Sequence, residues 1–367
     1  MDPTINIFTL TQIREATKNF DPSNKLGEGG FGSVFKGTLS DGTIIAVKQL
    51  SPKSNQGYRE FVNEIAIIYK LSHPNLVRLY GCCAHGNQLC LVYEYMENNS
   101  LSHVLLENSN VMTNLVGSDK VSKAKLTWPI RFKICIGIAQ GLGYLHGKNV
   151  IHRDIKPSNV LLDDDMTPKI SDFGLAKLND DGNTHISTRG MGTFGYLAPE
   201  YATRRYLTPK VDVYSFGIMV FGIVTGEKNN HVKRAPEPDW HLVDWVYVTK
   251  EKGGNLLDLV DPDLGSEYSS EEALMLLHVA FLCIMSAPHM RPSIFQVIEM
   301  LEGQVNHTQF SQPKGPCPNI QHLHFHPDET SPRSNELHNE SFVTESFVTE
   351  SFMTESFVTE SFIKEST

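Results

Sequence analysis

From Ile151 to Asn159 the chain reads Ile-His-Arg-Asp-Ile-Lys-Pro-Ser-Asn, and Asp172-Phe173-Gly174 follows shortly after. No other stretch constrains the fold as much. Two carboxylates (Asp154, Asp172), an ammonium (Lys156) and a carboxamide (Asn159) share one chemistry only if the chain folds them into one cleft. Asp154 is placed to accept a hydroxyl proton, and Lys156 beside it can face anionic oxygen. Asn159 offers an amide oxygen and Asp172 a carboxylate, both hard ligands for Mg²⁺. Such a set suits phosphoryl transfer, where catalysis is largely positioning and charge neutralisation.

Upstream lies a second group. Gly27-Glu28-Gly29-Gly30-Phe31-Gly32-Ser33-Val34 sits between two strand signals, and glycines there let backbone approach phosphate oxygens without a Cβ clash. Alone, this pattern also opens dinucleotide-binding folds, or marks a plain hairpin. Here a strand follows the loop, where a dinucleotide site would have a helix. Ile44-Ile45-Ala46-Val47-Lys48 is a run of strand formers ending in a lysine. That ammonium can neutralise phosphate charge if a carboxylate orients it, and Glu64, on the helix carrying Phe61 and Ile65, is the candidate partner. Without the glycine loop, an exposed lysine and a solvated glutamate would be the simpler reading.

The glycine loop, the strand lysine, the Asp154 loop, Asp172-Phe173-Gly174 and Ala198-Pro199-Glu200 occur in the order and spacing of a protein-kinase signature. The chain therefore resembles the eukaryotic protein kinase family over roughly residues 20–303. The resemblance implies a bilobal α+β fold, with a small β-rich lobe holding one main helix and a larger α-helical lobe. Lys156 and Gly192-Thr193-Phe194-Gly195-Tyr196 are similar to the serine/threonine class. Phe8 to Phe20, Leu91 to Leu101, His152 to Asp163, Gly192 to Tyr201 and Val211 to Gly217 resemble plant receptor-like kinases of the Pelle type. Their nearest likeness is to the cytoplasmic domain of leucine-rich-repeat receptors.

That family implies ATP with Mg²⁺, or Mn²⁺, and further site residues. Leu26 through Val34 would cover the nucleotide. Val34, Ala46 and Leu161 would sandwich the adenine, Glu94 and Met96 would lend it backbone groups, and Tyr93 would be the gatekeeper. Arg153, directly before Asp154, resembles the arginine of kinases switched by activation-loop phosphorylation, because a partly buried guanidinium needs an anionic partner. Thr184, Ser187, Thr188 and Thr193 are the candidates; Ser187 or Thr188 is the expected site, with Thr193 contacting Asp154 and Lys156 instead. Glu200 is expected to pair with Arg291, and Asp212 with the backbone of the catalytic loop. Gly222 stands where relatives usually carry glutamate. The competing reading is a pseudokinase scaffold, and it is disfavoured because Lys48, Asp154, Asn159 and Asp172 are all present.

The domain expectation is an N-terminal juxtamembrane-like segment at 1–19, a kinase domain at 20–303 with lobes of about 20–95 and 97–303, and a disordered tail at 304–367. At 367 residues and 40% hydrophobic composition there is material for two lobes around a shared core. Within the first segment, Ile13, Ala16, Thr17 and Phe20 have the spacing of one helical face. Strands are expected between Leu26 and Leu50, turning at Asp41-Gly42, and again at Leu89 to Tyr95. Helices are expected over Tyr58 to Leu71, Arg131 to Leu145 and Glu272 to Met285, with a polar insertion between Leu106 and Leu126. The tail ends in five-residue repeats of the form Glu-Ser-Phe-Val-Thr, a period matching neither helix nor strand.

Net charge of −10 disfavours nucleic acid, which needs a concentrated basic surface. Six cysteines without metal-ligand spacing read as buried, reduced thiols. The most apolar stretch, Val211 to Gly226, carries Asp212 and is shorter than the roughly 20 residues of a membrane span. The opening residues show no apolar targeting signal, and Asp2 stands where myristoylation needs glycine. The chain is expected to act in the cytoplasm on protein substrates, either free or held at the plasma membrane by a receptor kinase or co-receptor.

Overall fold

A six-stranded sheet and a helical lobe are linked at the segment around Asp172, which Lys48 and Asn63 reach from the small lobe. The computed structural model describes residues 5–29, 32–50, 55–106, 126–179, 192–230, 232–236 and 240–305. The glycine-loop tip at Gly30 and Phe31, the polar insertion, the loop carrying Thr184, Ser187 and Thr188, Cys317 and the repeats lie outside them.

The sheet is built from β1 (Asn6–Ile7), β2 (Lys25–Gly29), β3 (Gly32–Thr38), β4 (Ile44–Leu50), β5 (Leu79–His85) and β6 (Gln88–Glu94), ordered β1-β5-β6-β4-β3-β2. Cross-strand partners share a face, so the registers Val34 with Lys48 and Ala46 with Tyr93 place these four side chains on one side. Ile45 and Val47 alternate to the other side and are fully buried there, with Cys83, Cys90 and Val92.

What buries that second face is α1 (Leu10–Thr17), whose Ile13 and Ala16 join the same cluster. A reciprocal capping box starts it: Thr9 accepts from the Gln12 backbone N–H, and Gln12 accepts from that of Thr9. The helix ends sooner than the spacing predicts, because Lys18 turns left-handed at φ 54°. Phe20 thus lies beyond it and reaches the sheet by an edge-on contact with Phe35. Ile13 is wholly excluded from solvent. Ile13→Ala is expected to cost about 2–5 kcal/mol, read as a fall in the melting transition; an unchanged transition would show that α1 does not stabilise the small lobe.

The first-lobe helix is α2 (Asn55–Ile68), crossing the cleft face of the sheet; Leu71 falls beyond its end. The large lobe contains α3 (Leu101–Leu106), α4 (Trp128–Gly147), β7 (Val150–Ile151), β8 (Val160–Leu162), β9 (Pro168–Ile170), β10 (Lys177–Leu178), α5 (Pro199–Arg204), α6 (Lys210–Thr225), α7 (Leu242–Glu251), α8 (Ser270–Cys283) and α9 (Ile294–Leu301). The molecule is thus a mixed α+β fold with a β-sheet lobe and a helical lobe.

From Val211 through Thr225, α6 is buried on every side, and no described helix is long and apolar enough to cross a membrane. The five described cysteines are buried and unbridged, and burial pushes the Cys82 thiol up to about 11. Arg131, on α4, is enclosed between Asp261 at 2.7 Å and the carbonyls of Leu126 and Ile223.

Candidate active site

Lys48, at the centre of β4, points from the sheet into the cleft, where its ammonium lies 3.0 Å from Glu64 Oε2 and 2.7 Å from Asp172 Oδ1. Burial works against its charge, but Glu64 and Asp172 more than compensate and raise its pKa. Burial likewise opposes the charge on Asp172, yet Lys48 holds that carboxyl below its ordinary range. The pair therefore stays ionised at neutral pH. Its contribution to stability is present above the usual aspartate range and lost as pH falls through the lowered pKa of Asp172. The second oxygen of Glu64 accepts from the Tyr93 hydroxyl. Sequence reading named Tyr93 but gave no sign of this bond, since nothing local links strand β6 to α2.

Asp154 is 4% exposed, and both of its oxygens are used. Oδ1 accepts from the Thr193 backbone N–H at 2.9 Å and hydroxyl at 2.7 Å. Oδ2 accepts from Lys156 at 2.7 Å and Asn159 Nδ2 at 3.1 Å. Lys156 also donates to the Thr193 hydroxyl at 2.7 Å, so Thr193 does contact both residues. Asn159 Nδ2 also donates to the Asp154 carbonyl at 2.9 Å, which leaves the carboxamide oxygen as the atom it could offer to a cation. Ser171 ties this loop to Asp172: its N–H and hydroxyl both donate to the Asn159 carbonyl, at 2.8 and 3.0 Å.

The loop is held from beneath. Asp212, fully buried on α6, accepts from the backbone N–H groups of His152 at 2.9 Å and Arg153 at 2.8 Å, with His146 Nε2 at 3.0 Å. Burial pushes the Asp212 pKa up, but the His146 hydrogen bond and charge outweigh it and leave it lowered. Arg153 meets no carboxylate among the described residues: its guanidinium donates to the Tyr201 hydroxyl at 2.9 Å and to the Leu175 carbonyl at 3.0 Å. Arg291 pairs with Glu200 through two bonds of 2.7 and 2.8 Å.

On the opposite wall, a Cβ at Gly27 or Gly29 would meet no atom of the described residues within 4 Å, which leaves room there for a ligand. Gly32 is different. Its φ is 147°, and a Cβ there would lie 2.0 Å from the Gln49 carbonyl, so it is required by strand β4. Leu26 is 40% exposed at a register shift opening β2. Leu161 lies on β8 at the floor, opposite Lys169 on β9. Glu94 spends its N–H on the Arg78 carbonyl, leaving its own carbonyl as the group it could lend. Its side chain bonds the Arg78 N–H and the Lys169 ammonium, both at 2.8 Å, and Met96 is buried. At Gly222 an added Cβ would meet only ordinary contacts, so the site has room for a methyl group.

The cleft thus offers a carboxylate and an amide oxygen, tied together through Ser171, with an ammonium on the far side of Asp172. An all-oxygen pair suits a hard divalent cation, and its neighbouring ammonium suits phosphate.

A family model described as "Protein tyrosine and serine/threonine kinase" matches residues 20–301. A probable LRR receptor-like serine/threonine-protein kinase of Arabidopsis thaliana is 57% identical over 308 residues, 83% of this chain and 29% of that protein. A second such protein is 55% identical over 306 residues, again 83% and 29%. The cold-responsive protein kinase 1 of the same plant is 45% identical over 314 residues, 84% of this chain and 78% of that protein. The chain thus spans less than a third of the first two and most of the last.

Proposed function

Because this chain belongs to the protein tyrosine and serine/threonine kinase family, we propose that it transfers the γ-phosphoryl group of ATP to serine and threonine hydroxyls of proteins, its own included. The observation that carries this reading is Asp154: its carboxylate is fixed by Thr193, Lys156 and Asn159 beside the Lys48, Glu64 and Asp172 group.

Asp154 orients the acceptor hydroxyl and takes its proton. Lys156, already bonded to Asp154, balances charge on the transferred group. Lys48 neutralises the nucleotide's α- and β-phosphates, and Glu64 holds Lys48 in place. Asn159 and Asp172 would hold Mg²⁺, which Mn²⁺ could replace; when bound, the ion neutralises charge on the phosphates. The residues from Leu26 to Val34 cover the phosphates, Val34, Ala46 and Leu161 enclose the adenine, and the Glu94 and Met96 backbone bonds its edge.

The serine/threonine assignment rests on Lys156 and Thr193, which together enclose the Asp154 carboxylate, and it agrees with the names of the two receptor-like relatives. Thr193 is engaged in these contacts, so regulatory phosphorylation falls on Thr184, Ser187 or Thr188. Two of the three named relatives are receptor-like, which supports a receptor kinase or co-receptor as partner and the cytoplasmic side of the plasma membrane as the place of action.

The test is incubation of the purified chain with labelled ATP and Mg²⁺, followed by mapping of the modified residues. Label on serine and threonine, with at least one site among Thr184, Ser187 and Thr188, is the expected result. Absence of label in both the chain and a generic protein substrate overturns the reading.

A further inference from the structure

Asn63 stands one position before Glu64 on α2, half-buried, and its carboxamide faces the backbone that follows Asp172. Nδ2 lies 3.2 Å from the Phe173 carbonyl, 3.0 Å from that of Gly174 and 2.9 Å from that of Ala176. The carbonyl left out of this series, that of Leu175, accepts from Arg153 at 3.0 Å. Four consecutive carbonyls are thus taken by two side chains, one from the small lobe and one from the Asp154 loop. Main-chain pairing here is confined to a tight turn, in which the Ala176 N–H bonds the Phe173 carbonyl at 3.0 Å.

The residue before this turn needs such support. Asp172 has φ 65° and ψ 72°, a left-handed conformation that a non-glycine residue keeps only where its surroundings over-determine it. Lys48 holds its side chain, while the groups on Phe173 to Ala176 hold the backbone beyond it. An array of carbonyls accepts only donors, and a short carboxamide supplies two N–H groups without bringing a charge. Successive residues on a helix point about 100° apart. Glu64 therefore reaches Lys48 while Asn63 reaches the turn, and a shift of α2 breaks both links together. Contact is close here as well, since a Cβ on Gly174 would lie 3.4 Å from Glu60 Cγ.

We infer that Asn63 is a positioning residue: its carboxamide latches α2 to the turn after Asp172, so that Lys48, Glu64 and Asp172 assemble as one unit. The consequence for turnover rests on the kinase reading above; the structural latch does not.

The experiment compares Asn63→Ala and Asn63→Asp with the wild-type full chain by hydrogen exchange of the amides from Asp172 to Leu178, and by turnover. In Asn63→Ala, exchange in this stretch is expected to rise and turnover to fall, each about tenfold, while KM for the generic protein substrate stays unchanged. In Asn63→Asp, the ionised carboxyl faces three carbonyls at pH 8, whereas its protonated form can donate one O–H. Protection relative to wild type at the same pH is therefore expected to recover as pH falls toward 5.5. The titratable and charged groups around the latch are Glu60 and Glu64 on α2, Lys48, Asp172, Arg153, and His152, whose ring meets Phe173 edge-on at 5.1 Å. All are common to the variant and wild type, so the ratio isolates the introduced carboxyl.

Wild-type exchange in Asn63→Ala, or an Asn63→Asp ratio flat with pH, overturns the latch. A wild-type chain without turnover would sink the kinase reading and leave the exchange measurements to decide the latch by themselves.

Discussion

Replacing Asp154 by asparagine is expected to lower turnover by about two to four orders of magnitude, the usual contribution of a positioned general base. The substitution keeps the shape of the side chain and removes its capacity to take a proton. It also disturbs a fully occupied site. With its oxygen toward Thr193, the new carboxamide would turn N–H groups onto Lys156 and Asn159, which are donors themselves. That mismatch costs about 1–3 kcal/mol, so melting should shift modestly while steady-state phosphate transfer collapses. Residual turnover above about a tenth of wild type would show that Asp154 is not the base.

The largest effect on stability is expected at Arg291. Its side chain is fully excluded from solvent, bonds both oxygens of Glu200 and donates to the carbonyls of Met285, Lys210 and Ser286. Arg291→Met fills similar volume but leaves the Glu200 carboxylate buried without its partner. Breaking a buried pair from one side costs about 3–5 kcal/mol, equivalent to a fall of roughly 10 °C in the melting transition of a domain this size. Adding Glu200→Gln should recover part of it. Normal melting together with lost turnover would contradict this structural role and place Arg291 in the chemistry.

The two predictions differ because the two sites are built differently. Asp154 is held by hydrogen bonds from Thr193, Lys156 and Asn159, the groups proposed to act with it on substrate. Arg291 is enclosed, with α5 on one side and the turn before α9 on the other, and among the described residues Glu200 is the carboxylate that pairs with it.

Much of the site was readable from the chain. Asp154, Lys156 and Asn159 lie in one short loop, and their spacing alone implies mutual contact. Lys48 was legible only in company with the glycine loop, without which it reads as an exposed strand lysine, and Glu64 was one of two carboxylates on the next helix, the other being Glu60. Other groups left no such trace. The β1 strand is only two residues long and pairs with β5 through Asn6 to Gly81 and Ile7 to Cys82, so no local period announces either strand. The end of α1 depends on a left-handed lysine where glycine would be the usual signal. Asn63 belongs to no motif, and an asparagine beside a helix glutamate reads as solvated surface until the turn after Asp172 is placed against it.

Sequence alone determined the family resemblance, the chemical identity of the reacting groups and the division into a β-rich and a helical part, because these follow from residue type, order and short-range period. Tertiary structure decided everything that depends on groups distant along the chain. It brought Tyr93 to Glu64, turned Arg153 toward Tyr201 and Leu175, made Gly32 a requirement of strand packing, and spread Asn63 across three carbonyls. The physical reason is range: propensity and spacing act over one or two turns of chain. A hydrogen bond between lobes exists only once the apolar core has set their separation to within a few tenths of an ångström.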